Sequence, residues 1–385
     1  MRTTRLQLRK SQQQGVCLGV PVGKTEDIHN LRRRNQKMIR RKHHSQPAKH
    51  EPRIASAVLI IRRSRTDVSI EIPVTSASPL DYPLRSSPCP RLLFRAYSKK
   101  SSGTNTRNLF RAGFYANIPA VSPVGPAENP KSHSFLTDAL NHLTRSQTGT
   151  RLISVTPSLM WAIFQAIKAR AYESRFAIID GPAAAFATNI FPVAPIVRDL
   201  KTMKWWPNCQ YRASQEFFIW GEIGARAIHC DVSLVDLLRF SARRKNVRRY
   251  LRLDELQTCR TVIQLRVTFL GRPVWLDAET ASAIVELLLL FGVTVASDED
   301  VICTMIYCLL QGWAICIRND SRATALQTFL DMFTTTSGGE LINSRSAVIV
   351  NAKVTRAFNN AVDCAIEALE SERASLLRMR GEAGF

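Results

Sequence analysis

Gln215-Glu216-Phe217-Phe218-Ile219-Trp220-Gly221-Glu222-Ile223 is an apolar, strand-like run with carboxylates set into it. Alternate side chains of an extended chain point to opposite faces, so Glu216, Phe218, Trp220 and Glu222 share one face, with Phe217, Ile219 and Ile223 on the other. Both faces are aromatic or aliphatic, which predicts a central strand. A carboxylate at Glu216 is then partly desolvated and needs a partner or a chemical role. Two islands upstream have the same character, Leu93-Phe94-Arg95 and Ile153-Ser154-Val155-Thr156. All three are bounded by Pro, Gly or Ser and read as sheet positions, so they imply a site built on a sheet.

The flanking sequence supplies the rest of an α+β domain. Arg95 alternates with Leu93 and Tyr97 on one strand face, and a cation that close to a core calls for an anion. Residues 134–143 have a helical apolar pattern, and 152–155 form a short strand. Thr156 and Pro157 then open a helix, with Thr as N-cap and Pro in the first position, running to about Tyr172. A strand over 176–179 ends at Asp180-Gly181-Pro182, proline-broken sequence continues to Ile196, and a basic aromatic loop carries Lys201, Lys204, Trp205 and Trp206.

After Ile228 the pattern is helical to the end. Helices are expected at 234–240, 253–270, 277–291, 300–317, 321–333 and 347–378, with an exposed basic segment at 243–252. The last of these suits packing on its own bundle better than pairing with a second chain.

Composition sets the limits. The chain has 385 residues, 45% of them apolar, enough for two cores. Nine cysteines lie scattered with no metal-type spacing, which predicts reduced thiols and no metal site. The net charge of +22 is concentrated at one end: residues 1–70 hold 17 Lys/Arg against 4 Asp/Glu. Such a tail predicts disorder and weak, non-specific attraction to nucleic acid, with Arg32 to His44 as its densest block. The apolar runs 284–296 and 301–317 contain Glu286 and Gln311 and read as buried helices, not a membrane span. No secretory leader is visible, so an intracellular place, cytoplasmic or nuclear, is expected; the Arg-rich start also suits a mitochondrial presequence.

The three islands resemble a domain family of unknown function from fungal proteins, with its opening Leu-Phe-Arg, its Ile-Ser-Val-Thr-Pro-Ser-Leu and its closing Phe-Ile-Trp-Gly-Glu-Ile. More distantly they are similar to the Arg-Ser-Glu class of ADP-ribosyltransferases, the class of the cholera-type enterotoxin catalytic subunits. That resemblance covers roughly residues 91–230. It implies that Arg95, Ser154 and Thr156 bind NAD as substrate, that Glu216 is catalytic, and that Ser214 stands where the class presents its acceptor. Two positions depart from the pattern: Thr156 replaces the second Ser of Ser-x-Ser, and Ser214 replaces an acidic residue or Gln. The second departure bears on Arg-directed transfer and leaves NAD binding and hydrolysis untouched.

The combined expectation is a disordered basic tail and linker over 1–88, an ADP-ribosyltransferase-like split-sheet domain over 89–235, and an all-α domain over 236–385. The function implied is ADP-ribosyl transfer or NAD glycohydrolysis without a metal. The alternative is an inactive interaction module on the same fold, its helical part binding a protein partner, with Arg95 and Glu216 as a simple buried ion pair. His133, His142 and His229 read as loop or surface histidines.

Overall fold

The computed structural model describes residues 89–382 apart from 120–121, 147, 170–172, 207–214 and 339–343. The basic tail and Ser214 lie outside the described residues. From Arg91 onward the elements are β1 (Leu92–Tyr97), β2 (Thr104–Asn105), β3 (Leu109–Arg111), α1 (His133–Leu143), β4 (Leu152–Val155), α2 (Leu159–Lys168), β5 (Arg175–Asp180), α3 (Gly181–Ala187), β6 (Ile190–Pro192), α4 (Val193–Thr202), β7 (Phe217–Trp220), β8 (Glu222–Gly224) and β9 (Ile228–Ser233). Helices follow: α5 (Leu234–Arg243), α6 (Lys245–Leu251), α7 (Leu253–Thr258), α8 (Val262–Gly271), α9 (Ala278–Leu290), α10 (Glu299–Gly312), α11 (Asn319–Gly338) and α12 (Ser344–Glu382).

The strands form small antiparallel sheets in the orders β1-β5-β9, β2-β3-β8 and β4-β7-β6. Two junctions connect them. Strands β1 and β4 touch through Phe94 and Thr156, whose amides exchange hydrogen bonds of 2.7 and 2.9 Å. Strands β7 and β8 are one run of chain turned at Gly221, whose φ of +74° belongs to the left-handed region that glycine adopts without strain. A Cβ there would lie 2.1 Å from the side chain of Val124.

The unbroken strand expected over 215–223 is therefore two pieces in two sheets, and Glu216 sits immediately before the first. Glu222 falls beyond the turn and pairs with Arg111.

Each face has its own packing. Phe218, Trp220 and Leu152 meet Phe135 and Leu136 of α1 and Val193 and Val197 of α4. The opposite face, with Ile153, Val155 and Ile219, joins Leu93 and Tyr97 of β1. The other side of β1, Leu92 and Phe94, packs with Ile178 of β5 and Met160 of α2 into the same core as Phe291, Met305 and Phe358 of the helical region.

Other expectations need correction. Thr156 is not the cap of α2. The Phe94 bridge keeps it extended, its hydroxyl accepts from the Ser158 amide at 3.2 Å, and Ser158 caps the helix by accepting from Trp161. The segment 181–196 is not merely proline-broken: Asp180 caps α3, and α4 begins inside it with Pro195 in the first turn, where the missing N–H costs nothing. The chain after Ile228 first makes β9, an edge strand on β5, and only then turns helical. Residues 245–251 of the basic segment are helical as well. Among the described residues no helix is long and apolar enough to cross a membrane.

Candidate functional site

Arg95 sits in the middle of β1 opposite Ala177 of β5, on the face shared by Leu93 and Tyr97. It is 9% exposed. Its Nη1 donates to the carbonyl of Ser154 at 3.0 Å and its Nη2 to Oδ1 of Asn105 at 2.9 Å, with the Phe110 ring 5.4 Å below. The amide of Asn105 is held in turn by the carbonyls of Ser101, Ser102 and Gly103. Nε of Arg95 is buried without a hydrogen-bond partner. Burial lowers the guanidinium to about 10, which leaves it cationic at neutral pH. Its acceptors are thus a carbonyl and an amide, and the anion that the sequence called for is not a carboxylate of β1's neighbours.

Ser154 lies one strand over, on the face of β4 that looks toward α1. Its hydroxyl is 2.8 Å from Nε2 of His142, and Nδ1 of that imidazole is 2.7 Å from the Thr150 hydroxyl. The ring packs edge-on against Phe218 at 5.0 Å. Burial first, and the nearby Arg95 cation second, push the imidazole down to about 4, so it is neutral at pH 7.

Glu216, at the mouth of β7, is partly buried, and its amide carbonyl accepts from Val193 at the start of α4. Desolvation pushes its carboxyl up, while the Ser154 hydroxyl and the exposed Arg145 cation favour the charged form. Each of the two hydroxyls, Ser154 and Thr150, can donate to or accept from the imidazole nitrogen it faces, according to the tautomer.

The structure therefore brings Arg95, Ser154 and Glu216 into one chain of contacts drawn from β1, β4 and the entry to β7. Thr156 stands apart from that chain, occupied by the β1 bridge and the turn into α2. His142 is a correction: it is neither loop nor surface, but the group that holds the Ser154 hydroxyl. Its spacing from Phe135 and Ala139, both buried on the inner stripe of α1, carried that signal. His133 packs on Trp205, and His229 lies near Asp180 and Arg91. Asn105 and Thr150 have no signature that sequence reading alone would single out.

The arrangement offers a buried cation, a hydroxyl held against an imidazole, and a carboxylate whose charge is disfavoured by burial. Those are the elements for holding a phosphate or ribose and for stabilising positive charge that develops at a carbon. Among the described residues no group of three or more His, Cys, Asp or Glu is placed to hold a metal ion. Neither the curated proteins nor the solved structures contain a match to the chain. The stretch that carries the whole cluster, residues 88–237, matches the model of a domain family described as a domain of unknown function, DUF7587.

Proposed function

We propose that Arg95, Ser154 and Glu216 bind NAD and break its nicotinamide–ribose bond, with water or an acceptor side chain taking the ADP-ribosyl group. The observation that carries this reading is the Ser154 residue itself: its carbonyl is anchored by Arg95, and its hydroxyl is held by His142 beside Glu216.

In the reaction the C1′–N bond breaks and its electron pair leaves with neutral nicotinamide. The ribose carbon passes through an oxocarbenium-like state, and the ionised Glu216 stabilises that charge. Water then adds to C1′ and releases a proton, which gives ADP-ribose. Because the leaving group departs without being protonated, no general acid is needed, and a neutral His142 is suited to positioning Ser154. Arg95, buried and donating to the Ser154 carbonyl, holds β4 in place and supplies positive charge beneath the site.

Calorimetric titration of the full chain with NAD tests the binding step. Binding lost in Arg95→Met and weakened about tenfold in Ser154→Ala supports the reading. Full affinity in both variants contradicts it. A second reading, a non-catalytic module whose helical region meets a protein partner, draws on Ile263 and Val267, exposed one turn apart on α8. Absence of NAD binding selects it.

A further inference from the structure

On the other side of Asn105 from Arg95, the loop after β1, the β2–β3 turn and the start of β5 enclose a cleft of about 600 Å³. That size suits a small molecule and not a protein segment. Its walls are mostly hydroxyl-bearing residues, with three cations, Lys99, Arg107 and Arg175, and one carboxylate, Glu173.

Their charges do not balance. Arg175 donates to Asp231 at 2.8 Å, the Tyr97 hydroxyl donates to the same carboxylate at 2.7 Å, and Arg107 stands 3.7 Å from it. One carboxylate, with a side chain 5% exposed, faces two guanidiniums. At the rim Lys99 pairs with Glu173, but both side chains are exposed, 82% and 52%, and such a pair holds weakly. The Arg107 side chain is 73% exposed. Ser174, which also lines the cleft, is 1% exposed, and its hydroxyl has no hydrogen-bond partner. A buried hydroxyl left unmade is costly unless a ligand completes it.

We propose that this cleft binds the phosphate group of a small phosphate monoester. Arg107 and Lys99 close on the phosphate oxygens, the surplus positive charge beside Asp231 draws the dianion in, and Ser174 gains its missing partner. Arg175 stays with Asp231 as the fixed wall. The site does not depend on NAD cleavage, because none of these side chains belongs to the Ser154 chain of contacts.

The experiment is calorimetric titration of the full chain at low salt with ribose 5-phosphate, inorganic phosphate and, as the uncharged control, ribose. Ribose 5-phosphate is expected to bind and ribose not to. Arg107→Ala should weaken binding about tenfold and Lys99→Ala severalfold, both being exposed positions that leave the fold intact. Ser174→Ala should weaken binding while leaving the melting temperature unchanged or higher, since it removes an unpartnered hydroxyl. Glu216→Gln should leave the affinity as it was. Inorganic phosphate binding with the same dependence on Arg107 and Lys99 supports the proposal. No heat with either phosphate, or affinity that Arg107→Ala and Lys99→Ala leave unchanged, overturns it.

Discussion

Glu216 is held where a carboxylate is uncomfortable, and the discomfort has a sign. Its carboxyl is raised in the folded protein above the ordinary 4.5, so the native state takes up its proton more readily than the unfolded chain. The stability associated with that proton is fully present below pH 4.5 and is lost as pH rises through the folded value. Glu216→Gln is therefore expected to raise the denaturation midpoint at pH 7 and to have little effect below pH 4.5, measured by urea titration at the two pH values. A residue whose loss stabilises the fold is kept for another purpose. His142 runs the other way in acid. Its imidazole is lowered from 6.5 to about 4, so the unfolded chain binds the proton first as pH falls through that window. Stability should drop between pH 6.5 and pH 4, and His142→Gln should flatten that part of the profile.

Among the elements, the turn at Gly221 decides which sheet receives each half of the 217–224 run. Gly221→Ala forces a Cβ against Val124 and a left-handed conformation on a residue that resists it, so a loss of about 3 kcal/mol is expected from urea denaturation. The strain part, about 1–2 kcal/mol, should persist when Val124 is also made Ala.

The same elements show what the residue order reveals. Strands β1, β4 and β5 were legible because their apolar runs are clean and bounded by turn residues. Strand β9 was not, because Ile228-His229-Cys230-Asp231-Val232-Ser233 has the polarity of a loop and its Asp231 is satisfied by Tyr97 and Arg175, which come from distant strands. Helix α4 was hidden by Pro192 and Pro195, which sit where a helix tolerates them. Arg111, 2% exposed, holds Glu222 and the carbonyls of Ile118, Pro119 and Ser122, a role that nothing local in Leu109-Phe110-Arg111 announces. Arg95, Ser154 and Glu216 were visible as polar residues in apolar runs. The inward position of His142 could be read from its helical spacing to Phe135 and Ala139, but its partner, twelve residues away on a different element, could not.

Across the whole molecule the site-bearing sheets and the helical region share a core, and Arg266 shows how the far side is fastened. From α8 it donates to both oxygens of Glu372 on α12 and to the carbonyls of Gln311 and Gly312 at the end of α10, at 2.8 and 2.6 Å. Both side chains are buried, so removing one leaves a charge uncompensated. Glu372→Ala should cost about 3 kcal/mol or more in urea, and Glu372→Gln less. Because Phe94, Met160 and Phe176 pack into the same core as α9 and α10, residues 89–237 expressed alone should lose near-ultraviolet circular dichroism and bind a hydrophobic dye, whereas 89–382 should not.

That continuity makes the intact chain the proper material for the decisive assay, nicotinamide release from NAD by the purified protein beside its Glu216→Gln variant. Release that falls at least about a hundredfold in the variant is the expected result. Equal release by both proteins, or none from the intact chain, would contradict NAD cleavage at Glu216.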